Sequence, residues 1–529
     1  MPFNLLTDRW IEIRRQSGTR NIIRPDEMTD SFDVDPVVAL DFPRPDWNAA
    51  VTEFLIGLTY IALPCEDQDD WADYFRTPPP PDVLRQRLAP FESSFTFNGD
   101  GPRAFQDFDE LAALEPKSVS ALLIDAPGEN ALRNNSDLFV KRDTVSALSL
   151  PYAAAALITL QTYAPSGGAG HRTSLRGGGP LTTLVTPHRT GAPEITLWDR
   201  VWANVPEKDE TFTADPTALF PWLRPTLVSL KDAAVIPEDR PLALTFFACP
   251  RRIRLIVSEG ICSLSRAKGA VVSAYRTQNY GANYLGWLHP LSPYREDKKS
   301  GALPLHPNSG PSDYGDWIGW WGFNGDAAQS VKLWEKRRKK VRALINYSGM
   351  EAFGYDMDNM KARQWLNARL PWIPVDDADL KKSVTALISA TDEAAKAVRF
   401  ACKLALYGQR QGDGNYRLPE NLSLDALQTP AHQMWQLTQA TFETQLDVLI
   451  ARTRDAGPSD IDIRENWLKT LRKTALSVFD RFVDIDGMTD ADPRRLLSAR
   501  GQLNNSFNKV RHALSLAVPT KNTKTSKTK

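Results

Sequence analysis

Residues 463–483 read I-R-E-N-W-L-K-T-L-R-K-T-A-L-S-V-F-D-R-F-V. Leu468, Leu471, Ala475, Val478 and Phe482 recur at steps of three and four, the spacing that lines one face of an α-helix. Downstream, Leu503, Phe507, Val510 and Leu514 repeat the pattern. A helix with one apolar stripe must bury it against another element. Four such segments, 376–407, 424–454, 463–483 and 490–516, predict a C-terminal four-helix bundle over 375–518. Cations on these helices (Lys381, Lys382, Lys469, Arg472, Lys473, Arg494, Arg495) read as solvated faces. The lysine-rich end predicts a basic disordered tail over 519–529.

Upstream of Pro371 and Pro374 the pattern changes. A chain of 529 residues exceeds what one core organises. Residues 1–374 mix short apolar runs with proline clusters, which predicts a mixed α/β N-terminal globular domain and an α+β fold class for the whole. Residues 3–13 read as a strand with Trp10 and Ile11 in the core. Val51, Phe54, Leu55, Leu58 and Ile61 give helical spacing to 47–62. A small-residue helix is expected over 145–163 and a strand over 181–186. Residues 246–257 read as an edge or interrupted strand with basic residues on one side and Pro250 within it. The four prolines at 78–81 predict an extended surface connection, and Trp317, Trp320 and Trp321 should anchor a core. Residues 353–365, F-G-Y-D-M-D-N-M-K-A-R-Q-W, read as a tight turn at Gly354 followed by a helix capped by Asp356 or Asp358. Residues 275–294 admit two readings: aromatics and cations that stack bases, or a hydrophobic hairpin with polar turns.

The feature that points beyond folding is 163–183, Y-A-P-S-G-G-A-G-H-R-T-S-L-R-G-G-G-P-L-T-T. Two glycine runs flank H-R-T-S-L-R, so the backbone can take positive φ and approach another molecule closely, with cations near to favour an anion. A plain surface loop is the bland alternative. Charge is concentrated around it: between Arg133 and Arg189, six Lys or Arg stand against two Asp.

Elsewhere the composition is neutral. Lys plus Arg and Asp plus Glu number 64 each, which argues against a free-standing nucleic-acid binder with a large positive field. A subunit touching nucleic acid over a small patch remains compatible. Cys65, Cys249, Cys262 and Cys402 lie far apart without ligand spacing, so no metal site, cofactor or disulfide framework is expected. No signal-peptide layout or membrane span is apparent, and a cytoplasmic protein is expected. A Walker loop, G-x-S-x-G, H-E-x-x-H and the zinc-deaminase pattern are all absent, and no catalytic residue is assigned.

Four colinear motifs carry a family resemblance: F-N-L-L-T-D-R-W-I at 3–11, the loop at 164–185, G-W-L-H-P-L-S-P-Y at 286–294 and F-G-Y-D-M-D-N-M-K-A-R at 353–363. With the terminal bundle, the sequence resembles the large subunit (CasA) of the type I-E CRISPR Cascade surveillance complex. The resemblance implies a non-catalytic subunit that recognises a protospacer-adjacent motif in double-stranded DNA from the minor groove. It further implies help in starting strand separation and R-loop formation, and in recruiting a helicase-nuclease. Its implied partners are the other Cascade subunits, the CRISPR guide RNA, the target duplex and that helicase-nuclease. By position, the loop at the motif is Ser166, Gly167, Gly168, Ala169 and Gly170. Arg276 and Gln278 fall where relatives carry a minor-groove lysine. Asp358, Asn359 and Met360 fall at the strand-separating wedge, where a methionine could act as an apolar wedge. Phe139, Val140 and Lys141 match the loop that engages the guide RNA's 5′ handle. Two rival readings are a phosphate-binding enzyme using the glycine runs, and a structural scaffold.

Overall fold

A computed structural model describes residues 2–137, 140–142, 144–168, 170–230, 233–238, 240–299, 301–308, 310, 312–358, 361–374, 377–423, 427–452, 459–485 and 492–517. The chain divides into two compact units, Met1–Ser309 with Gly319–Trp372, and Gly310–Ile318 with Ile373–Lys529. Helices and strands are mixed in the first and long helices dominate the second, an α+β fold.

The first unit opens on a three-stranded antiparallel sheet. β1 (Ile11–Arg15) lies between β2 (Arg20–Ile23) and β3 (Val37–Leu40). The strand therefore begins at Ile11 rather than at residue 3, and Trp10 and Ile11 are fully buried as expected. α1 (Pro45–Ala62) starts on a proline, whose missing N–H costs nothing in a first turn. It is buried on nearly every side, as a helix apolar all round must be. α2 (Leu150–Tyr163) packs on it. α2 begins five residues later than expected because Pro151 is tolerated only in the opening turn. Of the four prolines at 78–81, Pro79 is buried, its carbonyl accepting from Thr29 Oγ1 at 2.8 Å, and Pro81 opens a short helix, Pro81–Leu88. That run is packed structure and not only a surface connection.

Two further sheets position the candidate site. In one, β4 (Thr182–Arg189) pairs with β7 (Ile345–Asp358), which pairs in turn with β8 (Lys361–Pro371), all antiparallel. In the other, β5 (Arg252–Ile261) lies along β6 (Lys268–Gln278). The β7–β8 pairing corrects the helix expected after Gly354. Its register sets Tyr355 opposite Trp365 and Asp358 opposite Lys361. The reason is a period of two: Phe353 and Tyr355 are packed against Trp365. Asp356, expected as a cap, is buried and accepts two hydrogen bonds from the Arg363 guanidinium at 3.0 and 2.6 Å. Gly354 makes no turn; a Cβ there would lie 2.4 Å from the Pro180 carbonyl oxygen, so glycine serves close backbone approach.

The second unit carries α3 (Ala378–Tyr407), α4 (Thr429–Arg452), α5 (Asp460–Ile485) and α6 (Pro493–Ala513). α3 packs against each of the other three. Asp377 and Asp492 cap α3 and α6 by accepting from Leu380 N and Arg494 N. Leu468, Leu471, Ala475, Val478, Leu503, Phe507, Val510 and Leu514 are buried; Phe482 is only partly so. Trp467 is fully buried and donates Nε1–H to the Leu387 carbonyl at 3.0 Å. A small hairpin, Gln409–Arg410 with Tyr416–Arg417, interrupts what reads as all helix. The stretch Gly310–Ile318 also belongs here: Tyr314 stacks on Phe442 with centroids 4.2 Å apart, its hydroxyl within 3.0 Å of Thr391 and 2.7 Å of Thr438.

Candidate nucleic-acid interface

α2 releases the glycine-rich loop at Tyr163 and β4 receives it at Thr182. Both ends are tied to one carboxylate, Glu53 of α1. It accepts from Tyr163 Oη at 2.6 Å, Thr182 Oγ1 at 2.7 Å and Arg176 at 2.8 Å, all buried. Arg176 donates further to Thr182 Oγ1 and Ser292 Oγ at 2.8 and 3.1 Å. Beside them, burial, reinforced by the Arg176 charge, pushes the His289 imidazole well below its ordinary value.

In this network the loop's cations, expected to favour an anion, are engaged by the protein itself. Arg176 neutralises a buried carboxylate, because an unpaired buried charge is too costly. Arg172 donates to the Ser229 hydroxyl and carbonyl at 2.7 and 3.0 Å. The His171 ring meets the Arg251 guanidinium.

The two glycine runs do different work. In the first, Gly168 and Gly170 adopt φ of 86° and 80°, and His171 N donates to the Gly168 carbonyl at 3.1 Å. The Gly170 carbonyl accepts from Tyr280 N at 2.7 Å, and a Cβ on Gly170 would lie 2.8 Å from Asn279 Cβ. Ser166 and Gly168 are exposed, Gly167 and Gly170 half-buried; Ala169 lies outside the described residues. The second run is a packing device. A Cβ on Gly179 would lie 2.6 Å from Met357 Cγ and 2.7 Å from the Tyr355 carbonyl oxygen, and one on Gly178 would lie 3.2 Å from Ser166 N. The first run is thereby seated on the second, and the second on β7.

The other candidate residues fall as follows. Gln278 is exposed at the end of β6, directly before the Asn279–Tyr280 contact with Gly170. Arg276 is half-buried, with Nε donating to the Leu114 carbonyl at 3.1 Å. Asp358 is exposed at the end of β7, 3.9 Å from Arg363, while Asn359 and Met360 lie outside the described residues. Val140 and Lys141 are exposed; Phe139 lies outside the described residues. Near them Arg142 grips Asp137, holding its carboxyl well below the usual range. The basic side of β5 is not a free surface. Arg252 pairs with Asp107 and Asp109, and Arg254 with Glu110. Most aromatics of 275–294 are core: Tyr275, Tyr284, Trp287 and Tyr294 are buried, and Tyr280 is exposed. The four cysteines are buried free thiols.

Sequence reading missed four contributing residues. Glu53 sits inside an apolar helix, and no local pattern links it to Arg176. Arg251 lies beneath the loop and donates to the Pro165 carbonyl; burial brings its guanidinium down to about 10. Asn279 and Tyr280 close on Gly170. Another feature is legible as a charge run: the helix Gln329–Lys340, Q-S-V-K-L-W-E-K-R-R-K-K, exposes Lys336 and Lys339 but buries Arg337 on the Ala203 and Val205 carbonyls.

Residues 4–478 match the family model of CRISPR-associated protein Cse1. The fold is similar to that of CasA from Thermus thermophilus, at 17% identity and a TM-score of 0.71, covering 96% of this chain and 100% of that one. Cse1 from Acidimicrobium ferrooxidans is similar at 16% identity and a TM-score of 0.70, covering 97% and 99%. A chain of a CRISPR RNA-guided surveillance complex matches at 16% identity and a TM-score of 0.67, again covering 97% and 99%. With most of its length matched by that family model, the chain belongs to the CRISPR-associated Cse1 family.

Proposed function

We propose that this chain is a non-catalytic subunit of an RNA-guided CRISPR surveillance complex that recognises a short motif in duplex DNA and starts its opening. The observation that carries the reading is the seating of the glycine loop. Gly179 packs on Tyr355 and Met357 and Gly178 on Pro165 and Ser166, so the start of the loop is supported from β7. A reader and a wedge must keep fixed spacing to act on adjacent base pairs, and rigid support supplies it. Ser166 and Gly168 offer small, exposed backbone for a narrow minor groove, whose pattern distinguishes mainly A·T from G·C. Asp358 to Met360 would part the strands, with Gln278 beside the loop and residues 139–141 engaging the guide RNA. Other subunits of the complex, and a helicase-nuclease acting after R-loop formation, would be its partners.

The test is to reconstitute the complex and guide RNA with and without this chain, and to measure binding to matched duplexes carrying a randomised motif. Motif-dependent binding that requires the chain is expected. Motif-independent binding, or binding unaffected by leaving the chain out, would overturn the proposal.

A further inference from the structure

Behind the glycine loop lies a cavity of about 480 Å³, within the range of about 300–1,000 Å³ that holds small ligands. Its walls are of two kinds. Pro225 and Leu227 supply exposed apolar surface, while Arg224, Arg240 and Arg251 bring three guanidinium groups. Among the described residues no carboxylate forms an ion pair with any of the three. Asp107, the acid in the lining, already accepts from Arg252 at 2.6 Å. Arg224 and Arg240 are half-buried and make no side-chain hydrogen bond within the described residues. Arg251 donates only to neutral partners, the Pro165 carbonyl and the His171 ring, and its Nε is buried without a partner.

Among the described residues, three half-buried guanidinium groups thus line one cavity with no carboxylate paired to them, a setting that favours an anion. Guanidinium forks match phosphate oxygens in pairs, and the adjacent apolar wall suits a flat, weakly polar ring. We propose that this cavity binds one nucleotide unit, its phosphate held by Arg224, Arg240 and Arg251 and its base against Pro225 and Leu227. The unit is either a free mononucleotide or the phosphorylated end of a strand. Arg251 also grips Pro165, one residue before the exposed Ser166, so occupancy of the cavity bears on the backbone that presents the loop.

The test uses the full chain and four probes by calorimetric titration: AMP, inorganic phosphate, and a DNA tetranucleotide with and without a 5′ phosphate. Saturable AMP binding, weakened about tenfold or more in Arg224→Ala/Arg240→Ala, supports a free-nucleotide site, because charge-assisted hydrogen bonds are lost. Binding of the phosphorylated tetranucleotide alone, weakened in the same variant, supports a strand-end site. Inorganic phosphate binding as tightly as AMP would overturn the nucleotide assignment. So would no saturable binding by any probe, or binding unchanged in the variant. Unfolding midpoints of both proteins are recorded alongside, and Arg224→Lys/Arg240→Lys, which keeps the charge, should retain part of the affinity if the double alanine variant is unstable.

Discussion

At the scale of single residues, charge is used mostly inward. Glu53 joins Tyr163, Thr182 and Arg176, fixing both ends of a loop that lies more than a hundred positions away. Glu53→Gln keeps the shape but strands the Arg176 charge in the interior. We expect a loss of about 3–5 kcal/mol by chemical denaturation, and a loss below about 1 kcal/mol would show that the carboxylate is not the tie. Asp313, in the second unit, is pushed up to about 7 by burial, opposed by the hydrogen bond from Gly315 N. The unfolded carboxyl ionises near 3.8, so between that pH and 7 the unfolded chain has released a proton that the folded chain keeps. Stability therefore falls as pH rises through this window. Asp313→Asn, which still offers an oxygen to Gly315 N, should flatten the thermal-stability profile there and raise the unfolding midpoint at pH 8. Parallel profiles for the two proteins would contradict this.

At the scale of elements, the helices and the loop answer to different physics. Trp467 of α5 is buried against α3 through the Leu387 carbonyl. Trp467→Ala should lower stability by about 3–5 kcal/mol through cavity formation, measured as a fall in the denaturant midpoint; a change within about 0.5 kcal/mol would mean the helices do not depend on this packing. In the loop, a Cβ on Gly167 would lie 2.6 Å from His171 Cβ. Gly167→Asp both displaces that ring and adds a negative charge where a duplex would approach. The expected outcome is loss of motif-dependent DNA binding with complex assembly intact, by gel shift and size-exclusion chromatography. Failure of assembly instead would make the loop a structural element. The hairpin shows why its sequence is easily misread. D-M-D-N-M-K-A-R contains good caps for a helix, yet the alternation of Phe353 and Tyr355 opposite Trp365 decides for strands, and cross-strand partners are invisible to a local pattern.

At the scale of the whole molecule, balanced charge fits the proposed role of a subunit whose affinity comes from its assembly. If the chain reads the minor groove, that contact would supply on the order of 1–3 kcal/mol per discriminated base pair, and base pairing with a guide would supply the rest. If Asp358 to Met360 open the duplex, Asn359→Ala with Met360→Ala should impair binding to intact duplex far more than to a target already unpaired next to the motif. Equal losses on both targets would rule out a wedge.

What the sequence determined by itself is what neighbours along the chain encode. The apolar stripes of α5 and α6 and the apolar length of α1 specify helices wherever they pack, because residues three and four apart meet on one face. The glycine loop was legible as a loop for the same local reason. Only the tertiary structure decided which of its charges face out. Arg176 and Glu53 are 123 positions apart, Arg251 and Pro165 are 86 apart, and both pairings arise only when sheets and helices bring distant segments together. The fates of Gly310–Ile318 and of the β7–β8 hairpin were settled likewise, by packing of Tyr314 and Trp365 against partners that no local window of sequence singles out. Local periodicity fixes elements, whereas desolvation of charge and packing of aromatics are properties of the assembled interior.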